Sequence, residues 1–173
     1  MEFYRELKNT LSGTDRLAIL GIGSELRGDD AAGIEITRRL AETFNDPEES
    51  RLAKLRIYHG CSAPENYTGA IKAFKPTHLI LIDAADLGEI PGSLFFIDPQ
   101  VIGGVSFSTH MMPLNIFTQY LEDEVQCKVI IIGIQPEKLD FTPGASLTPI
   151  VEESVTDVVN TLSRLIIEEH LNL

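Results

Sequence analysis

The chain has 173 residues, 43% hydrophobic and 23% charged, the balance of a folded globular protein with a core of its own. Twenty-six acids against fourteen Lys and Arg leave a formal charge of −12, which argues against nucleic acid and anionic membranes as partners and favours a cation. Two cysteines, Cys61 and Cys127, make no disulfide or zinc framework, and no segment reads as a signal peptide or membrane span, so a cytoplasmic protein with no membrane insertion is expected. The length predicts one domain, 1–173.

Residues 2–11 have the spacing of a short amphipathic helix. RLAILGI, 16–22, is an unbroken apolar run stopped by glycines and reads as a buried strand. The glycine-rich GIGSELRGDDAAG, 21–33, follows. From Asp30 onward Ile34, Ile36, Leu40 and Phe44 mark an imperfect helical stripe. NDPEES, 45–50, is a loop, LAKLRIYHG, 52–60, an amphipathic strand, and PENYTGAIKAFKP, 64–76, a helix bounded by prolines. HLILIDAA, 78–85, is the strongest strand; LGEIPG turns the chain into another, SLFFID, 93–98. PLNIFTQYLEDE, 113–124, is a helix with proline in its first turn, KVIIIGI, 128–134, the last strand, and 148–171 a long helix. The alternation predicts an α/β fold: an open, twisted, mostly parallel five-stranded sheet with helices on both faces. The short link between the strands at 78 and 93 points to one antiparallel strand.

Ligands of such sheets bind beyond the C-terminal strand ends. The segments expected at that rim are GIGSELRGDD, HGCSAPEN, IDAADLG and GIQP. The first is not a nucleotide loop: Leu26 replaces the third glycine of G-x-G-x-x-G, and Asp29-Asp30 follow Gly28 where a P-loop needs Lys and Ser or Thr. Asp29 and Asp30 have two readings, a helix cap worth about 1 kcal/mol or a metal or catalytic role. Asp83 follows four apolar residues at a strand mouth, where a carboxylate needs a hydrogen bond, an ion pair or a metal. Asp86 suits a turn. His110 follows Ser108 and Thr109 in a loop before a helix, and His59 ends a strand at the same rim. His78 opens a strand at the opposite rim and reads as structural; His170, near the C-terminus, reads as solvated. A Cys61–His59 pair has poor geometry for a nucleophile, and neither G-x-S-x-G nor H-E-x-x-H occurs. Two carboxylates and an imidazole at one rim suit a divalent transition metal with open water positions, without selecting the metal.

In this order the same residues resemble the nickel–iron hydrogenase maturation endopeptidases. GIGSELRGDDAAG is similar to that family's G-x-G-N-x-L-x-x-D-[DE]-[GA]-x-G; GCSAPEN with LILIDAADLGEIPG, STHMMPLNIFTQYL and IIIGIQP follow the later motifs. The likeness runs from about 16 to 165 and is greatest to enzymes processing the large subunit of hydrogenase-3-type complexes. Ser24 stands where the family often has Asn, and Ala31 where many members have Gly. The resemblance implies a peptidase that removes a C-terminal extension from the hydrogenase large-subunit precursor once nickel is inserted. It implies that Asp30, Asp83 and His110 hold the metal and form the catalytic constellation. The nickel is expected to arrive on the substrate, with other divalent metals able to occupy the site. Asp29, Asp30 and Asp83 are the available bases. The alternatives are a nickel-dependent chaperone of the large subunit that does not cleave it, and a doubly wound nucleotide-binding module.

Overall fold

The computed structural model describes residues 2–44, 54–98, 106–107, 114–141, 144 and 146–170, with backbone alone for 106–107 and 169–170. Helix α1 (Glu2–Thr10) leads into strand β1 (Leu17–Ile22). A 3-10 turn (Gly28–Ala31) opens α2 (Ala32–Phe44), followed by β2 (Leu55–Cys61). A second 3-10 turn (Pro64–Tyr67) opens α3 (Thr68–Phe74), followed by β3 (His78–Asp86) and β4 (Leu94–Ile97). The two-residue β5 (Ser106–Phe107), α4 (Leu114–Val125), β6 (Lys128–Ile134) and α5 (Pro149–His170) complete the chain.

The strand order is β2-β1-β3-β6-β4. The first four strands are parallel and β4 runs antiparallel to β6. This is the expected five-stranded mixed sheet. The antiparallel strand pairs with the last parallel strand, however, and not with β3, from which the short link leads. The additional β5 pairs antiparallel with the end of β3, setting Phe107 opposite Ala85 and Ser106 opposite Asp86.

Apolar runs make the interior strands. Every residue of β1 is buried, as are all of β3 except Asp86 and all of β6 except Lys128. Strands covered on both faces need no alternation. On one face, Leu7 of α1, Ile36 and Leu40 of α2 and the Val151–Ile166 stripe of α5 pack on Ile19, Ile80, Ile82 and Ile132. On the other, Ile71 of α3 and Leu114, Phe117 and Leu121 of α4 pack on Leu20, Leu79, Leu81 and Ile131. Helices thus cover both faces, as the alternation predicts.

Where local structure departs from expectation, the cause is local. The helix expected over 64–76 begins as a 3-10 turn and stops at Phe74, because Lys75 turns left-handed with φ 52°. The residue before a proline is kept out of the right-handed helix, and Pro76 follows. The expected loop 45–50, residues 52–53 of the expected second strand and Pro113 lie outside the described residues.

The topology fixes where a ligand fits. From β1 the chain passes to β2 on one side, then returns across to β3 on the other. The order reverses between β1 and β3, and the crevice beyond their C-terminal ends is the usual binding place in an open α/β sheet.

Candidate active site at the topological switch point

Two acids stand at that crevice. Asp83, near the C-terminal end of β3, is completely buried, and Asp30, in the turn after β1, is 1% exposed. Two glycines bring their segments together. A side chain on Gly33, three residues beyond Asp30, would overlap the carbonyl oxygens of Ile82 in β3 and of Ile22 at the end of β1. Gly23, at φ +138°, lies so close to the Asp30 carbonyl that no Cβ fits between them. The Ser24 N–H donates to that carbonyl at 3.2 Å, and the Gly23 N–H donates to Cys61 O at 3.0 Å, tying the turn to β2. The glycines therefore serve close backbone approach, which presses the Asp30 turn onto the mouths of β1 and β3.

Asp29 has a different task. It is also completely buried. Its Oδ2 accepts the Glu137 and Lys138 N–H groups at 2.9 and 2.8 Å, and its Oδ1 accepts the Thr148 N–H at 2.7 Å. The Thr148 hydroxyl adds contacts of 3.0 and 2.9 Å to the two oxygens. The Asp29 N–H donates in turn to Lys138 O at 3.1 Å. The capping reading does not hold for the turn that Asp29 occupies, whose N-cap residue, Arg27, makes no side-chain cap bond. Asp29 instead pins the loop after β6 and the start of α5 to the β1–α2 turn. Thr148 could not have been paired with it from sequence, since the two are 119 residues apart.

Gln135, in the GIQP segment, is a second organiser that the sequence reading passed over. Its Oε1 accepts the Leu87 and Glu89 N–H groups at 2.8 and 3.2 Å, and its Nε2 donates to Asp86 Oδ1 at 3.0 Å. Hydrogen bonds from Gln135 and then from the Gly88 N–H hold the Asp86 carboxyl below the usual carboxylate range. Asp86 is thus the turn residue it was expected to be. The available signal for Gln135 was an amide directly after a buried apolar strand, where burial demands partners.

The histidines separate by position. His59 lies opposite Gly21 on β2, and its Nδ1 meets the Thr37 hydroxyl of α2 at 2.9 Å. Burial, and secondarily the Arg38 guanidinium, hold its imidazole below the usual histidine range. The Cys61 thiol meets the His59 carbonyl at 3.7 Å, while the ring serves Thr37. The paired-nucleophile arrangement is therefore absent between these two residues. His78 is buried at the opposite rim, with Nδ1 3.3 Å from the Thr77 hydroxyl. His110 and the side chain of His170 lie outside the described residues. Among the described residues no three His, Cys, Asp or Glu side chains converge on one metal position.

The hydrogenase maturation protease family model, HycI, matches residues 34–165. That stretch includes Asp83 and His110 and begins four residues after Asp30. The hydrogenase 3 maturation protease of Escherichia coli (strain K12) is 36% identical over 124 residues, covering 71% of this chain and 74% of that protein. A Methanocaldococcus jannaschii protein is 36% identical over 163 residues, covering 94% of this chain and 95% of its own. The crystal structure of the [NiFe] hydrogenase maturation protease HycI from Thermococcus kodakarensis KOD1 superposes with a TM-score of 0.81 at 29% identity, covering 93% of this chain and 98% of that one. A sheet with this crevice, matched along nearly its whole length by such proteins, places the chain in the hydrogenase maturation protease family, as a peptidase.

Proposed function

We propose that this peptidase, acting as one domain over 1–173, removes the C-terminal extension of a nickel-loaded nickel–iron hydrogenase large-subunit precursor in the cytoplasm. The observation that carries the reading is the burial of two carboxylates, Asp30 and Asp83, on adjoining segments at the switch point. Buried carboxylates are costly in a protein interior unless hydrogen bonds, an opposite charge or a metal offset the burial. Asp83 falls on the same face of β3 as Leu79 and Leu81, which pack on α4, so its side belongs to the face on which α4 lies. Phe107 is held opposite Ala85, and His110 follows three residues later, within about 11 Å of chain. The proposed metal site is therefore Asp30, Asp83 and His110. The nickel comes with the substrate, and these groups recognise it; oxygen and imidazole donors suit such an ion.

With both Asp29 oxygens engaged by Glu137, Lys138 and Thr148, the proposed base is Asp30 or Asp83. It takes a proton from water as the water oxygen bonds to the scissile carbonyl carbon. The C–N bond then breaks and the departing nitrogen takes the proton.

The test is intact-mass analysis of nickel-loaded and nickel-free precursor mixed with the enzyme. The reading expects loss of one C-terminal peptide from the loaded form alone. A stable complex with no loss of mass would make the protein a chaperone instead.

A further inference from the structure

Gly133 lies opposite Asp83 in the β3–β6 ladder, whose last pair is Ala84 with Ile134. Pro136 offers no N–H to a further ladder step. Beyond that last pair the side chain of Gln135 continues the link. Its backbone serves β4: the Gln135 N–H donates to Ser93 O at 2.9 Å, and the Gln135 carbonyl accepts the Gly92 N–H at 2.8 Å. Its side chain serves the residues that follow Asp83. Oε1 accepts the Leu87 and Glu89 N–H groups, and Nε2 donates to the Asp86 carboxylate and, at 3.3 Å, to the Pro136 carbonyl. Only a primary amide supplies this acceptor and this two-hydrogen donor together. Gln135 is buried, so little water is at hand to replace these bonds. Asp86 is also the residue that pairs with Ser106 of β5, and His110 follows four residues after Ser106. The same exit from β6 carries Glu137 and Lys138, whose N–H groups end on Asp29, the neighbour of Asp30. Gln135 thus stands where the segments bearing Asp30, Asp83 and His110 are tied together. Residues that lock the segments carrying ligating groups set the geometry of those groups.

We propose that Gln135 is a positioning residue of this peptidase: its amide fixes the chain leaving β3, and through it the placement of Asp83 and of the segment leading to His110. The assignment rests on the proposed function. Gln135 acts through the Asp86 carboxylate and the Leu87 and Glu89 backbone, and its effect falls on the reaction step and not on capture of the precursor.

The test compares wild type, Gln135→Leu, Gln135→Glu, and Gln135→Glu combined with Asp86→Asn, all on the nickel-loaded precursor. It reads kcat and KM for cleavage, the Kd of the complex, and the melting temperature of the free enzyme, with cleavage followed well below the lowest melting temperature. The expected result for Gln135→Leu is a fall in kcat of roughly 10- to 100-fold, with Kd within a few fold of wild type. Gln135→Glu keeps the size and the acceptor for Leu87 and Glu89, but loses the donor and sets two carboxylates together. A fall in kcat of the same order is expected, and this variant carries the test if the leucine variant does not fold. Adding Asp86→Asn returns a donor to the pair, and kcat is expected to recover to within a few fold of wild type. A fold-only role would lower the melting temperature of the single variants and leave kcat of the folded enzyme at the wild-type value; that result overturns the assignment. So does a kcat loss in Gln135→Glu that Asp86→Asn fails to recover, or a Kd that rises as far as kcat falls. A wild-type enzyme that does not cleave the loaded precursor overturns the functional reading, and this assignment with it.

Discussion

The two ends of the sheet treat charge in opposite ways. At the N-terminal end of the parallel strands two ion pairs stand in water, although the Nε of Arg16 is buried. Lys54 meets Asp15 at 2.8 Å, Lys72 meets Glu124 at 2.8 Å, and all four side chains are at least 40% exposed. At the C-terminal end, three carboxylates, Asp29, Asp30 and Asp83, are withdrawn from solvent. Exposed pairs contribute little to stability and are screened by salt. Buried acids cost stability unless their partners repay it. One end of this peptidase therefore carries solvated ion pairs, and the other carries acids enclosed by the packing. Asp29 divides the second group. Its oxygens are saturated by donors from distant segments; Asp30 and Asp83 are the pair proposed to meet the substrate's metal.

That contrast is sharpest in substitutions at the crevice. Asp30→Asn and Asp83→Asn keep shape and remove charge. Each is expected to lower the cleavage rate by about 10²-fold or more while leaving the enzyme folded. Asp29→Ala inverts the pattern. It leaves the Glu137, Lys138 and Thr148 N–H groups without their acceptor, and a loss of about 3 kcal/mol is expected in urea unfolding. If Asp29→Ala were as stable as wild type and Asp83→Asn unfolded, the division between structural and functional acids would be broken.

A smaller effect comes from His59. Its imidazole is held below the usual histidine range by burial and Arg38, so the unfolded chain binds the proton more readily than the folded one. The contribution of the neutral ring is complete above the unfolded value of about 6.5. It is lost as the pH falls from there through the depressed folded value. His59→Leu is expected to flatten this acid-side slope in denaturation curves, and an unchanged slope would remove His59 as its source. The smallest effect belongs to the solvated end. Lys72→Ala, which deletes an exposed pair with Glu124, is expected to leave both melting temperature and cleavage unchanged, and a large loss in either would contradict the contrast.

Much of this was legible in the sequence because apolar runs and glycine breaks are local signals. LAILGI, HLILIDAA and KVIIIGI read as interior strands, and their order gave the sheet and the rim. Asp30 and Asp83 were legible as candidates because acids directly beside buried strands need a reason. The partners of Asp29 were not legible, since bonds to Glu137, Lys138 and Thr148 depend on tertiary approach. The pairing of β4 with β6 was hidden for the same reason: a short link suggests a neighbour without naming it.

The most direct measurement is nickel X-ray absorption on the loaded precursor, alone and freeze-quenched with excess enzyme within one turnover. Parallel samples would carry Asp30→Asn and Asp83→Asn. The account expects the nickel to gain oxygen or nitrogen neighbours on binding wild type, and to gain fewer with either variant. A nickel shell identical in the free and enzyme-bound precursor would contradict the proposal that these acids meet the substrate's metal.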